Sequence, residues 1–307
     1  MAQPNHAGVA AEPKQSIAAF QRLLVATDFS SVSIAALSYA ESLTNLYGKE
    51  LLLTCVVSAG NASPPEPSAV FAVPEIGQAM AEDLEQLANQ LRRRGIDARA
   101  ILAEGPVADA LEQLVQKEKP DLLVIGTHGA RGLERLILGS TAEAILRKVS
   151  CPVLTVGPAC GNITRKNLAL QTIVYATVLR HTSETALRYA ASLARAMHAH
   201  MQLVHAIDEI NELPGPSLDM EAQSQLELMA EALKGSDSKV SVHRVYGEPV
   251  EGIIRRVIAT KADLVVLGAE RGRKLSAFLP AGVAYGLIRS APCPVITLKK
   301  DGLYHRG

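Results

Sequence analysis

The residues best suited to chemistry in this chain are Gly126-Thr127-His128-Gly129, followed after nine residues by Gly139-Ser140-Thr141. They come directly after the apolar run Leu122-Leu123-Val124-Ile125 and lead into an Ala/Ile/Leu-rich segment from Thr141 to Val149. A short apolar run ending at glycine reads as a buried parallel strand and the later segment as a helix, so the glycines fall in a strand-to-helix connection. Gly126 and Gly129 would let the backbone turn off the strand and approach a bound group. Gly139 and Ser140 would present N–H donors at the start of the helix, an arrangement suited to an anion and above all to phosphate. Ser140 and Glu143 also fit a Ser-x-x-Glu capping box, in which the glycines only shape a loop. Neither Gly-x-Gly-x-x-Gly after a strand nor the Gly-Lys-Ser/Thr of a P-loop is present.

Two side chains near this pattern have chemical options. Asp28 ends the apolar run from Leu23, where a carboxylate can accept hydrogen bonds from a ribose or base; its alternative is a helix cap, since Ser30 or Ser31 begins a helix. His128 suits a general acid, a metal ligand or a phosphate donor, or else a solvated loop residue. His181, His198, His200, His205 and His243 show no metal spacing with an acidic partner, and no Gly-x-Ser-x-Gly marks a hydrolase. Cys55, Cys151, Cys160 and Cys293 are scattered without Cys-x2-Cys spacing, so buried thiols are expected rather than a zinc site or disulfide framework.

The elements that must position these residues occur twice. Leu23-Leu24-Val25-Ala26-Thr27 aligns with Ile173-Val174-Tyr175-Ala176-Thr177 at an offset of 150, as does Tyr39-Ala40-Glu41-Ser42-Leu43 with Tyr189-Ala190-Ala191-Ser192-Leu193. Asp121 to Gly126 aligns with Asp263 to Gly268, and Cys151-Pro152-Val153 with Cys293-Pro294-Val295, at 142. The loss of eight assigns extra residues to the Pro-rich stretch Asn61 to Ser68 of the first copy.

Each copy alternates strand and helix, the pattern of a parallel sheet covered on both faces. Strands are expected near 22–27, 50–57, 97–103, 121–126 and 152–156, and near 171–177, 200–207, 239–246, 263–267 and 294–298. Helices of the first copy are expected near 31–47, 75–94, 106–118 and 140–149, the second of them stopped by Arg92-Arg93-Arg94-Gly95. The fold class is therefore α/β, two tandem flavodoxin-like, doubly wound domains with ligands at the carboxyl ends of the strands. The pattern leads to the expectation of a flexible N-terminus over 1–19, a first domain over 20–157, a linker over 158–167 and a second domain over 168–300.

Gly-x2-Gly-x9-Gly-Ser/Thr, with Asp28 and the tandem repeat, closely resembles the nucleotide-binding pattern of the universal stress protein family, over nearly everything from Arg22 to Lys299. The resemblance implies five-stranded domains of order 3-2-1-4-5, with the fifth strands pairing, here within one chain. It implies an adenosine contact at Asp28, an adenine-pairing backbone at Val56, and a phosphate loop of Gly126, His128, Gly129, Gly139, Ser140 and Thr141 that carries ATP with Mg²⁺ or Mn²⁺. The family's habits also imply a homodimer of the full chain. The second copy departs from the pattern: Asp28 becomes Val178, Val56 becomes Ala206, Gly129 becomes Arg271, Gly139 becomes Ala281, Ser140 becomes Gly282 and Thr141 becomes Val283. Only Gly268 keeps its place, and Arg271, Arg273 and Lys274 offer either another anion site or an exposed basic loop.

Composition sets the outer bounds. The 307 residues, 48% hydrophobic and 20% charged, can fill two cores of about 150 residues each. A formal net charge of zero argues against a general nucleic-acid binder. The absence of ~18 uninterrupted apolar residues and of an N-terminal leader pattern leads to the expectation of a cytoplasmic protein without a membrane span. Two functions stay open. One is a nucleotide-dependent stress or signalling module with one ATP site and a degenerate second domain; the other is a slow ATP-using enzyme of the same fold. The second lacks a P-loop lysine, a Ser-Gly-Gly loop and a His-x-Gly-His motif.

Overall fold

The computed structural model of the chain describes residues 20–58, 73–127, 138–160, 170–177, 179, 184–207, 216–233, 239–269 and 281–299. The first copy runs β1 (Arg22–Ala26), α1 (Ser31–Tyr47), β2 (Glu50–Val57), α2 (Val73–Arg93), β3 (Asp97–Glu104), α3 (Val107–Glu118), β4 (Leu122–Gly126), α4 (Ser140–Lys148) and β5 (Val153–Val156). The second runs β6 (Thr172–Thr177), α5 (Glu184–Ala196), β7 (His200–Ile207), α6 (Pro216–Leu233), β8 (Val240–Tyr246), α7 (Pro249–Thr260), β9 (Leu264–Ala269), α8 (Ala281–Ser290) and β10 (Val295–Lys299). These bounds match the sequence expectation to within two residues. Strands and helix ends with strong local signals explain the agreement: α2 stops where Gly95, at φ 86°, lets its N–H reach Arg92 O at 2.9 Å.

The strands form one ten-stranded sheet in the order β3-β2-β1-β4-β5-β10-β9-β6-β7-β8. Pairing is parallel within each copy and antiparallel only where β5 meets β10, with Val295 opposite Thr155, Ile296 opposite Leu154 and Thr297 opposite Val153. Thr155 Oγ1 donates to Val295 O at 3.0 Å and Thr297 Oγ1 to Val153 O at 3.4 Å, a reciprocal pair that follows the repeat offset. Side-chain alternation along each strand feeds two cores. Leu23, Val25, Leu51 and Leu53 face α1 and α2, and the corresponding face of the second copy joins the same cluster through Leu154 and Ile296. Leu24, Leu52 and Leu123 face α3 and α4, continuous with Val265, Leu267 and Leu287. Because every central strand is buried on both sides, uniformly apolar runs replace the alternating pattern of a half-exposed sheet.

One carboxylate in each copy fixes the lower ends of the strands. Asp121 Oδ2 accepts the N–H groups of Gln21 and Arg22 at 2.6 and 2.9 Å, and Asp263 Oδ2 those of Gln171 and Thr172 at 2.9 and 3.0 Å. The stretch expected as a linker begins inside the fold. Pro158–Cys160 forms a 3₁₀ turn, and the buried Cys160 points its thiol at Ala291 O, 3.8 Å away.

Candidate functional site

The carboxyl ends of β1, β2 and β4 lie side by side at the point where the chain reverses its direction across the sheet, between β1 and β4. β1 hands over to α1 through a network of hydroxyls. Thr27 Oγ1 and Ser33 Oγ are 3.0 Å apart, the Phe29 N–H donates to Thr27 Oγ1 at 3.0 Å, and Ser33 Oγ donates to Ser30 O at 3.0 Å. Ser30 is the N-cap of α1, accepting from the Ser33 N–H. Asp28 is therefore not the cap. Its Oδ1 accepts from the Ser30 N–H at 3.1 Å and the Ser30 hydroxyl at 2.6 Å, which fixes an exposed carboxylate at the strand end. Between them Phe29 holds φ 60°, a left-handed conformation that is strained for a bulky residue and is over-determined here by the hydroxyls around it.

β2 continues past the end of β1. Thr27 N–H reaches Thr54 O, and Gly105 N–H reaches Val57 O, both at 2.9 Å. Alternation along β2 then turns the N–H and C=O of Val56 to the β1 side, beyond the last register pair of Ala26 with Thr54. The neighbouring Cys55 thiol is pushed up to about 11 by burial and then by the charge of Asp83, so it offers no thiolate at neutral pH.

The third wall is the start of α4. Gly139 is its N-cap, extended at φ −60° and ψ 142°, and among the described residues no side chain caps the helix. The expected capping box is not formed: Glu143 Oε1 instead takes Arg147 at 2.6 Å, one turn along the helix. The first N–H groups of α4 consequently face outward between the exposed Ser140 and Thr141, as an anion site requires. Gly139 N–H holds the helix start to Thr127 O at 3.1 Å, and a Cβ on Gly139 would meet that same oxygen at 3.1 Å.

Gly126 is also needed for packing. A Cβ there would meet Val32 Cγ1 at 3.0 Å and Ser33 N at 3.1 Å, so the glycine lets the end of β4 pass close beneath the first turn of α1. It thereby brings the two walls of the site together. His128 and Gly129 lie outside the described residues, as do Arg131, Val178, His181, Arg271, Arg273 and Lys274.

At the matching places in the second copy the chemistry changes. His205 occupies the position of Cys55 and its Nδ1 lies 3.0 Å from Thr177 O. The carbonyl can only accept, so Nδ1 carries the proton. Ala206 stands where Val56 does, and α8 opens on Ala281 and Gly282.

A second polar cluster lies at the opposite, lower end of β7 and β8. Ser241 Oγ is 2.9 Å from both His200 Nε2 and His243 Nε2. Arg256 Nη2 lies 2.7 Å from His243 Nε2, and its Nε donates to Gln202 at 2.8 Å. Burial first, then the Arg256 charge, holds both imidazoles below the usual histidine range. Among the described residues no three His, Cys, Asp or Glu side chains gather as a metal site. Sequence reasoning passed over this cluster, and also over Ser33, because their partners come from separate strands and helices. An Asp-x-Ser spacing at Asp28 and Ser30 was the one local signal of the hydroxyl network.

The universal stress protein family model matches residues 19–157 and again 169–299. The chain belongs to the universal stress protein family, as a tandem member. A universal stress protein of Methanocaldococcus jannaschii is 30% identical over 139 residues, 45% of this chain and 82% of that protein. Another from Mycolicibacterium smegmatis is 23% identical over 290 residues, 90% of this chain and 96% of that one, and so shares the tandem arrangement along its length. Among solved structures, a universal stress protein from Archaeoglobus fulgidus superposes with a TM-score of 0.69 at 20% identity, covering 92% of this chain and 97% of that one. At that identity the likeness carries the α/β universal stress fold. Among the described residues no helix is long and apolar enough to cross a membrane.

Proposed function

We propose that this universal stress protein binds one ATP, in the first copy alone, and works as a cytoplasmic nucleotide-dependent stress or signalling module. The observation that carries the reading is the uncapped N-terminus of α4 beside the anchored carboxylate of Asp28 and the protruding edge of Val56. An adenine can pair with the Val56 backbone, a ribose can donate to Asp28, and phosphates can accept from the amides of Ser140 and Thr141, whose helix dipole favours negative charge. Gly126, His128 and Gly129 complete the proposed loop. Mg²⁺ or Mn²⁺ would enter with the nucleotide. The oxygen donors at hand, the exposed hydroxyls of Ser140 and Thr141, suit a hard cation held chiefly by phosphates and water.

In this reading residues 20–157 and 168–300 are the two functional units, and the second serves the first as a structural partner through the β5–β10 seam. We propose that full chains pair further into a homodimer, which light scattering on the purified protein measures directly. The central test is isothermal calorimetry with Mg-ATP. One site per chain is expected, and two equivalent sites or none overturn the proposal. Timed conversion of ATP separates the module from an enzyme, since turnover above roughly 0.1 per second would favour the enzyme.

A further inference from the structure

The seam between the copies is not symmetric at its ends. Lys299, the last residue of β10, is buried, and its Nζ donates to Arg147 O at 2.6 Å and Val149 O at 2.7 Å. These are carbonyls at the C-terminus of α4, where a helix leaves acceptors unmatched and its dipole is negative. The cation that satisfies them comes from the other copy, 150 residues away. The repeat offset pairs Lys299 with Gly157, which has no side chain to do the same for α8. There the backbone itself closes in, and a Cβ on Gly157 would lie 2.3 Å from Ile288 O. The helix that opens on the proposed phosphate site is thus tied to its partner domain by the Lys299 ammonium. Leu146 and Val149 of α4 also line a shallow groove with Tyr285 and Ile288 of α8, and Lys299 closes one side of it.

We infer that Lys299 is a positioning residue for the nucleotide site of the first copy, acting through α4, and that nucleotide occupancy is thereby coupled to the second copy. The inference rests on the proposed ATP site. α4 is a nine-residue helix, about 13 Å long, and moves as one body. Fixing its C-terminal carbonyls fixes the direction in which its first amides point. An anion at one end and the ammonium at the other stabilise the same dipole, so each strengthens the other. By linkage, ATP that gains from a held α4 must in turn tighten the hold of β10 on α4, which carries the bound state across the seam.

The test compares wild type with Lys299→Met, Lys299→Gln and Lys299→Arg, measuring Mg-ATP affinity by calorimetry and amide exchange of Ser140 to Val149 without nucleotide. Lys299→Met is expected to weaken ATP binding roughly three- to tenfold and to speed exchange in α4. Lys299→Arg should recover most of both and Lys299→Gln should fall between. Unchanged affinity overturns the inference even if exchange quickens, because the lysine would then only hold the seam. Weaker affinity without faster exchange in α4 also overturns it, since the loss would then follow another route. If Lys299→Met does not fold, the ranking of the Arg and Gln variants decides. Failure of the ATP reading itself is distinct, because wild type would then bind no nucleotide. In that event quicker α4 exchange in Lys299→Met still supports the tether, and unchanged exchange removes it.

Discussion

The two copies of this chain share a backbone and differ where side chains meet. At the upper rim the first copy anchors a carboxylate on Ser30 and opens α4 on Gly139 and Ser140, whereas the second places His205 against Thr177 O and opens α8 on Ala281. At the lower rim the first copy holds an ion network. Arg22 pairs with Glu50 at 2.5 Å and Arg99 with Glu118 at 2.6 Å, and the offset positions in the second copy are Thr172, His200, Ser241 and Thr260. The second copy fills that space with imidazoles and a single guanidinium. The sheet frame tolerates either chemistry, because the frame is held by apolar strands and by Asp121 and Asp263, which do not change. Duplication has let one copy keep a candidate site while the other changes its charges without losing the fold.

The largest expected effect lies at the seam that joins the copies. Proline at Leu154 removes a ladder donor that the strand turns toward β4, and its ring constrains a strand paired on both sides, so it should destabilise the chain by about 3 kcal/mol. Urea unfolding of Leu154→Pro checks this. The first copy alone, cut near Ala159, should dimerise through its freed β5 edge, and Thr155→Pro, which removes a donor facing that edge, should abolish that dimer in light scattering. A monomeric first copy would show that the edge is covered in another way.

Next comes a paired substitution across the copies. Gly139→Val sets a branched side chain against Thr127 O and over the first amides of α4, and should remove ATP binding by more than about 100-fold, about 2.7 kcal/mol. Ala281→Val at the matching place should leave affinity unchanged. Equal losses in calorimetry would mean that both copies bind.

Asp28→Ala should cost about 1.5 to 3 kcal/mol of ATP affinity if the carboxylate takes a ribose or base hydrogen bond. It also frees the Ser30 N–H and hydroxyl, a stability loss of about 1 kcal/mol that thermal melting should detect without loss of cooperativity.

The smallest effect separates the lower rims by pH. His200 and His243 are held below their ordinary 6.5, so the unfolded chain binds more protons there. Stability should fall as pH drops through 6.5 toward their folded values, by less than about 1 kcal/mol given their partial exposure. In the first copy Glu118 is held below 4.5, chiefly by its bond from Arg99, so its contribution is present at neutral pH and is lost only as pH falls beneath 4.5. Amide exchange at pH 5.5 should therefore quicken in β7 and β8 before β2 and β3. His243→Gln should reduce that difference, and simultaneous loosening of both copies would argue against it.

Much of this was legible along the chain. Paired offsets exposed the duplication, apolar runs exposed strands buried on both faces, and Arg92-Arg93-Arg94-Gly95 marked a helix stop. The candidate site was readable in outline, since Asp28, Val56 and Gly139 do stand at strand and helix ends of one rim. Its detail was not. Ser140 and Glu143 have the spacing of a capping box, yet Glu143 is taken by Arg147, a local competition that spacing alone does not rank. Gly126 was read as a ligand-facing glycine, and its spacing gave no sign that it also meets the first turn of α1, more than ninety residues earlier.

By itself the sequence determined the class of fold, the number of copies and which copy retains the glycine pattern, because periodicity, turn chemistry and residue type are local properties of the chain. Tertiary structure alone decided who meets whom: Ser33 with Thr27, His200 and His243 on one serine, and Lys299 on the end of α4. Those contacts depend on strand order and on the antiparallel join of β5 to β10, and a one-residue change of register there would turn every side chain of β10 to the opposite face.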